Sequence, residues 1–441
     1  MNPDSIVQAV EASESTSNTG LVIAIIGLLI FAAHLFTEIF SRKRIPDVLL
    51  LMVIGLVIGP IFNWVKPQDL GSVASVFTTI TLVIILFESG TELNFNTLLN
   101  SIKGTMKLTT INFFITMIIV AALGMLFEKF DILTSLMLGA ILGGTSSAVV
   151  IPMVGQLKIS QKGGTILILE SAFSDVLCIV FAWAFLEALQ SGALNVGQTL
   201  GDIISSFILA SIIGLVAAIF WSYILDKVRH VKNSILTTPA FVFIVYGFNE
   251  WLGFSGAIAA LAFGIGMANM DYFYKRGLII QRIFKTQPAM LNETEKQLFS
   301  EVVFLLKTFF FIYIGISIKL ERFWPILIGF IVSVVLFAIR ILIVKLSFHK
   351  EDDPLPVGDK VFMSGIVPKG LAAAVLATIP VQRGIAGGET IQNIVFAVIL
   401  FTIIFTSILV PVLEKENAIS RFYKKRFTAK EQTIQELLDN N

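Results

Sequence analysis

The chain has little charge and almost no cysteine. Only 14% of its 441 residues are charged, against 56% that are hydrophobic, and the one cysteine is Cys178. Soluble domains carry about 25% charged residues, so a chain this apolar lacks the polar surface to cover its core in water. A single cysteine excludes an intrachain disulfide. The net charge of +1 argues against nucleic acid as a partner. The bilayer is therefore the predicted solvent of this protein.

The amino-terminal segment lacks the charge of a targeting signal. Residues 1–20 contain no lysine or arginine, whereas a cleavable signal peptide begins with a basic region. We expect residues 1–20 to form an extracellular or periplasmic tail and residues 21–413 a transmembrane domain. Residues 414–441 should form a short cytoplasmic tail. We expect neither enzymatic activity nor a cofactor.

Long apolar runs fill the transmembrane domain. With about 20 apolar residues for each crossing, the sequence predicts an all-α membrane protein of about thirteen spans. The boundary between spans eight and nine, at Asn249-Glu250-Trp251 and Gly253, is the weakest, and a single helix there would give twelve. The predicted spans are 21–40, 48–65, 73–90, 108–127, 132–154, 163–189, 203–224, 238–252, 254–270, 302–318, 323–346, 361–381 and 391–413.

Basic residues in the connections indicate the orientation. With the amino terminus outside, most of the 32 lysines and arginines fall in connections on the inner side. Cytoplasmic loops carry this excess in membrane proteins. We therefore expect thirteen spans in the plasma (inner) membrane, with the amino terminus outside and the carboxyl terminus in the cytoplasm.

Two spans contain residues that interrupt a helix. Gly143-Gly-Thr-Ser-Ser147 divides the fifth span, and Pro368-Lys-Gly370 divides the twelfth. The two halves also share weak similarities, as between Gly55-Leu-Val-Ile-Gly-Pro60 and Gly264-Ile-Gly-Met-Ala-Asn269. Paired discontinuous helices in corresponding halves indicate a transport site. Since free backbone groups at such breaks need a polar cavity, the sequence predicts inverted repeats around one.

Asp175 lies in the middle of the apolar sixth span. A carboxylate at that depth is costly and indicates function. Ser174 can add an oxygen or position the carboxylate, and Thr145 and Ser146 place hydroxyl groups at the fifth-span break. Oxygen ligands suit hard cations, but such hydroxyl groups also serve helix packing. For Thr145 and Ser146 both interpretations stay open.

The remaining charges within spans need partners. Arg340 is permanently protonated and requires a buried carboxylate. If Glu170 is that partner, the pair is structural, and Asp175 is left to exchange a proton for a metal cation. Lys307 is predicted either to support the site, neutralising Asp175 or Glu88 or losing its proton, or to extend towards an interface. Beside the twelfth-span break, Lys369 is expected to stabilise carbonyl ends of the half-helices.

In order and spacing, these motifs resemble the monovalent cation:proton antiporter superfamily, in the branch of NhaP and animal sodium/proton exchangers. The resemblance implies a thirteen-helix fold of inverted repeats, with a dimerisation bundle and a core in which helices five and twelve cross. It also implies a homodimer. The matching motifs are Ile45-Pro-Asp-Val-Leu-Leu-Leu51, Leu86-Phe-Glu-Ser-Gly-Thr-Glu-Leu93, Gly139-Ala-Ile-Leu-Gly-Gly-Thr-Ser-Ser147, Glu170-Ser-Ala-Phe-Ser-Asp175, Arg340 and Pro368-Lys-Gly-Leu-Ala-Ala-Ala-Val375.

The resemblance also implies individual roles. Asp175 matches the ion-binding aspartate, and Thr145 matches a threonine whose carbonyl coordinates the ion. Glu170 matches a glutamate that pairs with an arginine, here Arg340. Ser171 and Glu88 match two further positions of the family, which assist ion binding through the side chain or through water.

Departures from the family pattern leave the transported cation open. Ser174 stands where asparagine is usual, and Ser146 and Ser147 replace an Asp-Pro pair, which removes a ligand. Lys369 replaces an arginine. The expected function is exchange of Na⁺ or K⁺ for H⁺ at one aspartate by alternating access. A single aspartate is typical of electroneutral exchange, whereas Lys307 leaves electrogenic exchange open. The alternative is a K⁺ channel or regulated K⁺ efflux pathway on the same fold.

Overall fold

A computed structural model describes residues 27–28, 30–31, 34–35, 46–67, 71–93, 95–191, 196–229, 234–276, 288–348, 355–415 and 417–427. Every regular element in these ranges is helical. Six of the described helices are long and apolar enough to cross a membrane, or seven if a bent pair, Gly256–Ala268 with Met270–Arg276, is one span. The predicted tail at 1–20 and most of the first predicted span lie outside the described residues.

Predicted spans two to thirteen correspond to described helices. The second span ends in a π-helical turn over Val57–Ile61, which contains Pro60. In chain order the helices are α1 (Asp47–Leu56), α2 (Gly71–Glu92), α3 (Phe95–Phe127), α4 (Ile132–Ile141), α5 (Ser147–Gln156), α6 (Gln161–Ser191), α7 (Val196–Arg229), α8 (Thr237–Trp251), α9 (Gly256–Ala268), α10 (Met270–Arg276), α11 (Glu293–Ser317), α12 (Phe323–Ser347), α13 (Val357–Gly365), α14 (Leu371–Gln382) and α15 (Gly388–Glu414).

The two predicted interruptions are present and lie against each other. The fifth span is divided into α4 and α5, and the twelfth into α13 and α14. The backbone N–H of Ser146 donates to the carbonyl of Pro368 at 2.8 Å, and the side-chain amide of Asn112 donates to the carbonyl of Gly143 at 3.3 Å. Each break thus satisfies backbone groups that a continuous helix would have paired internally.

The helices pack as two groups. A first helix group consists of α1, α2, α7, α8, α9 and α11, and a second helix group of α3 to α6 and α12 to α15. Glycine pairs allow close approach within the first group. A Cβ placed on Gly55 of α1 would lie 2.9 Å from the Cα of Gly315 on α11, and one on Gly264 of α9 would lie 3.1 Å from the Cα of Gly90 on α2. The halves that the sequence predicts to be related therefore make equivalent contacts.

A buried carboxylate joins the start of α6 to α13. Asp359 is 3% exposed, and its carboxylate accepts the backbone N–H of Ser160 at 3.1 Å and also the Ser160 hydroxyl. The Ser160 hydroxyl oxygen in turn accepts the N–H of Gly163 at 3.0 Å. Because the first amides of a helix lack internal partners, this arrangement caps α6 and fixes its position beside the second broken span.

Candidate cation-binding site

The first break passes directly beside Asp175. This aspartate lies in the middle of α6 and remains partly exposed. A Cβ on Gly144 would lie 3.4 Å from the Asp175 carboxylate oxygen Oδ1 and 2.8 Å from Sγ of Cys178. The absence of a side chain at residue 144 is therefore what lets the irregular backbone approach the carboxylate, as expected where backbone groups line an ion site.

Serine hydroxyls connect α6 to the break. The backbone N–H of Thr145 donates to Oγ of Ser174 at 3.0 Å, and the Ser174 hydroxyl donates to the carbonyl of Ser171 at 3.0 Å. Within α6, the Ser171 hydroxyl donates to the carbonyl of Ile168 at 2.7 Å. By accepting from Thr145, Ser174 holds the break against the helix of Asp175. Its own hydroxyl proton is donated within α6.

Ser146 has a different environment from its neighbours. It is 4% exposed, and its hydroxyl has no hydrogen-bond partner among the described residues. Gly370, at the second break, lies so close that a Cβ there would overlap the Ser146 side chain. What distinguishes Ser146 is its position, since its hydroxyl oxygen lies where the two breaks meet.

Lys369 places a buried positive charge between the two breaks. The residue is fully buried, and its Nζ donates to the carbonyl of Gly144 at 2.7 Å. Its backbone N–H donates to Oγ1 of Thr402 at 3.0 Å. The carbonyl that Lys369 stabilises belongs to the other broken span. Lys369 is also close enough to Asp175 for an electrostatic interaction, so the site contains one carboxylate and one ammonium group.

Glu170 and Arg340 lie together in the second helix group. Two guanidinium nitrogens of Arg340 donate to the two carboxylate oxygens of Glu170 at 2.5 and 2.6 Å. The side chains are 0% and 1% exposed. The third donor, Nε, binds the carbonyl of Met363 at 3.0 Å, just before the second break. The bidentate geometry is among the strongest forms of an arginine–carboxylate ion pair. Together with the bond to Met363, it joins α6, α12 and α13.

Lys307 lies elsewhere, in the first helix group. Its Nζ is 3.0 Å from Oδ2 of Asp47, and each side chain is 14% exposed. Glu88 is close enough to interact electrostatically with Lys307, but the ion pair of Lys307 is with Asp47. The sequence prediction considered only charges within spans, and it did not include Asp47 because the predicted second span begins at residue 48. The sequence does indicate that the helix begins at Asp47, because a proline followed by an acid, as in Pro46-Asp47, is typical of a helix start.

The boundary between the two helix groups contains a cavity on one side of Asp175 and an apolar cluster on the other. The cavity, of about 160 Å³, is lined on one side by Ile179 and Trp183 of α6. Ile179 is one helical turn from Asp175. In the opposite direction along α6, an apolar cluster joins the groups. It consists of Leu93, Leu169 and Ala172, with Phe173 and Ile265 packed against them.

We predict that Gly144→Ala impairs ion exchange. The new methyl would contact Cys178 and Asp175 at 2.8 and 3.4 Å, and such overpacking typically costs about 1–3 kcal/mol. Gly155→Ala is the control, because a Cβ there meets nothing within 4 Å. Adding Cys178→Ala to Gly144→Ala removes the sulfur and should restore exchange. The interpretation fails if both glycine variants exchange equally in reconstituted vesicles.

Comparison with known proteins supports the family that the motifs indicate. A family model described as "Sodium/hydrogen exchanger, transmembrane" matches residues 21–415. The chain is 22% identical over 405 residues to the Na⁺/H⁺-K⁺ antiporter GerN of Bacillus cereus, covering 88% of this chain and 94% of that one. It is 23% identical to the K⁺/H⁺ antiporter NhaP2 of Shewanella sp. strain ANA-3, with 86% and 64% covered.

A solved structure shows the same fold. The sodium proton antiporter MjNhaP1 from Methanocaldococcus jannaschii superposes with a TM-score of 0.72 at 22% identity, over 90% of this chain and 98% of that one. An all-helical membrane architecture is thereby confirmed for the described residues. The family model and the relatives confirm the resemblance predicted from the motifs. The chain belongs to the sodium/hydrogen exchanger family of integral membrane proteins.

Proposed function

We propose that this protein is a secondary antiporter that exchanges a monovalent cation, Na⁺ or K⁺, for protons at Asp175. The observation that carries the proposal is the position of Asp175: a partly exposed carboxylate in the middle of α6, beside the first of two interrupted helices. Relatives named as Na⁺/H⁺ and K⁺/H⁺ antiporters support the class of substrate.

Oxygen atoms around the break form the proposed ion site. Asp175 supplies the negative charge, and the unpaired hydroxyl of Ser146 and the backbone of Thr145 supply neutral oxygens. Oxygen ligands suit Na⁺ and K⁺ as they suit other hard cations. Ser174 and Ser171 position the break, and Glu88 assists from the first helix group. Because a proton and a metal ion use the same carboxylate, binding of one displaces the other.

Exchange at one carboxylate is proposed to be electroneutral. Glu170 is committed to Arg340 by two short hydrogen bonds, and Lys307 is paired with Asp47. Lys369 is held by the carbonyl of Gly144. With these charges occupied, one proton leaves Asp175 for each monovalent cation that arrives, and no net charge crosses the membrane.

Alternating access is proposed to arise from motion of the second helix group against the first. The cavity beside Ile179 and Trp183 opens on one side of Asp175, and the apolar cluster around Leu169 and Phe173 closes the other. Rocking of one group would open the closed side and close the open one. The proposed architecture has thirteen spans, two crossed broken helices and an amino terminus outside the plasma membrane. We also propose a homodimer that forms through the first helix group.

Proton flux in proteoliposomes tests the function. We expect external Na⁺ or K⁺ to drive protons out of vesicles loaded with a pH-sensitive dye. For electroneutral exchange the flux should be insensitive to a clamped membrane potential. Supplying Na⁺, K⁺ and Li⁺ in turn identifies the cation. A channel would instead carry K⁺ current along its own gradient without moving protons, and that outcome would overturn the proposal.

A further inference from the structure

A short helix follows the last membrane-crossing helix directly. After α15 ends at Glu414, residues 418–427 are helical again. Asn417 forms the junction: its side-chain oxygen accepts the N–H of Ser420 at 2.8 Å, and its side-chain nitrogen donates to the carbonyl of Val412 at 2.7 Å. This cap fixes the second helix to the end of the first. The helix therefore starts close to the membrane surface.

The sequence of this helix has charge of one sign only. Residues 418–427 read Ala-Ile-Ser-Arg-Phe-Tyr-Lys-Lys-Arg-Phe, with four basic residues and no acidic one. A solvated surface helix usually mixes both signs, which allows pairing along its face. This segment instead concentrates positive charge at one place beside the bilayer.

One face of the helix packs against the protein, and the other is open. Ser420 and Tyr423 are 1% and 9% exposed, and at 100° per residue they share one side. Around the rest of its circumference the helix is exposed. Phe422 lies nearly opposite Ser420 and is 50% exposed, and Ile419, at the edge of the buried side, is 47% exposed. The exposed side also carries three cations: Arg421, Lys425 and Arg426.

Exposed apolar and cationic groups are adjacent on that open side. The guanidinium carbon of Arg426 lies 5.0 Å from the centre of the Phe422 ring. Phenylalanine beside arginine and lysine is typical of helices that lie in the membrane interface, where the apolar groups enter the acyl boundary and the cations remain among headgroups. Water alone would leave Ile419 and Phe422 uncovered.

We propose that the open face of helix 418–427 binds anionic phospholipid headgroups, such as those of phosphatidylglycerol, in the adjoining leaflet. Charge complementarity favours this occupant, because a basic segment next to a membrane span attracts anionic lipid. Continuity with α15 places the face at headgroup depth. The face anchors the end of α15, a member of the second helix group, to the bilayer surface.

Lipid retention tests the proposal independently of transport. The full chain is purified in micelles containing equal amounts of phosphatidylglycerol and phosphatidylcholine, and native mass spectrometry counts the lipids bound. We expect the wild type to retain phosphatidylglycerol preferentially. Arg421→Gln, Lys425→Gln and Arg426→Gln combined should lower its retention by about ten-fold or more. The control combines Lys103→Gln, Lys107→Gln and Lys158→Gln, three exposed lysines elsewhere. It removes the same charge and should retain clearly more phosphatidylglycerol than the helix variant.

Three outcomes would overturn the proposal. One is equal retention of the two lipids by the wild type. Another is equal retention of phosphatidylglycerol by the two triple variants. The third is displacement of the lipid by soluble glycerol 3-phosphate, which would indicate a site for free phosphate instead of a membrane-facing surface.

Discussion

We expect Asp175→Asn to abolish cation-coupled proton flux while the protein remains folded. The change keeps the shape of the side chain but removes both the titratable proton and the negative charge. Unit charges about 4 Å apart at an effective permittivity of about 20 attract by about 4 kcal/mol, which corresponds to roughly a thousand-fold in affinity. Proton flux in proteoliposomes, driven by each cation in turn, measures the loss.

A matched aspartate provides the control for that variant. Asp131 caps α4, and its carboxylate accepts the backbone N–H groups of Leu133 and Thr134 at 3.1 and 3.2 Å. Asn caps helices as well as Asp does, so Asp131→Asn should keep both stability and exchange. Size-exclusion profiles show whether both variants are folded. Undiminished cation-dependent proton flux in Asp175→Asn would exclude Asp175 as the carrier.

The sequence contains enough information to predict the interrupted spans and the buried charge pair. Residues 143–147 and 368–370 combine glycine with adjacent polar residues or proline in the middle of an apolar run, which is typical of a discontinuous membrane helix, so both interruptions were predictable. The pair of Glu170 with Arg340 was predictable for an energetic reason. A permanently charged guanidinium that is fully buried needs a carboxylate, and few acids lie within spans.

Contacts that depend on helix rotation and register were not predictable. Lys307 pairs with Asp47 because α1 lies against α11 at the Gly55–Gly315 contact. The predicted second span begins one residue after Asp47 and therefore does not contain this carboxylate. The link from Asp359 to Ser160 joins residues 199 apart in the chain. The residue pattern of neither segment indicates that two residues so far apart in the sequence are in contact. The cavity between the helix groups is likewise a property of their packing.

The structure also gives a physical meaning to the departures from the family pattern. With serine at residue 146 no carboxylate stands at the break, and the ammonium group of Lys369 binds the carbonyl of Gly144 instead. The unpaired Ser146 hydroxyl remains as a neutral oxygen. A site with fewer charged ligands holds a cation less tightly and discriminates less by charge density. This keeps K⁺ beside Na⁺ as a proposed substrate.

The second large effect is expected for Arg340→Ala. Removing the guanidinium leaves the carboxylate of Glu170, 1% exposed, without its partner, and breaking a buried pair costs about 3–5 kcal/mol. We expect a sharp loss of monodisperse protein and a lower thermal unfolding midpoint in detergent. Arg322→Ala is the control. Arg322 pairs with Glu389 at 3.3 Å with both side chains about half exposed, and such pairs contribute less than about 1 kcal/mol.

A double variant separates a structural role of the pair from a role in exchange. Glu170→Leu with Arg340→Met replaces both charges by apolar side chains of similar volume, which is often neutral for stability when both partners are changed together. The double variant should therefore be more stable than Arg340→Ala. Because Asp175 is intact, it should also exchange cations for protons. A well-folded Arg340→Ala protein would contradict the stability argument, whereas a folded double variant without exchange would show that Glu170 and Arg340 take part in ion coupling.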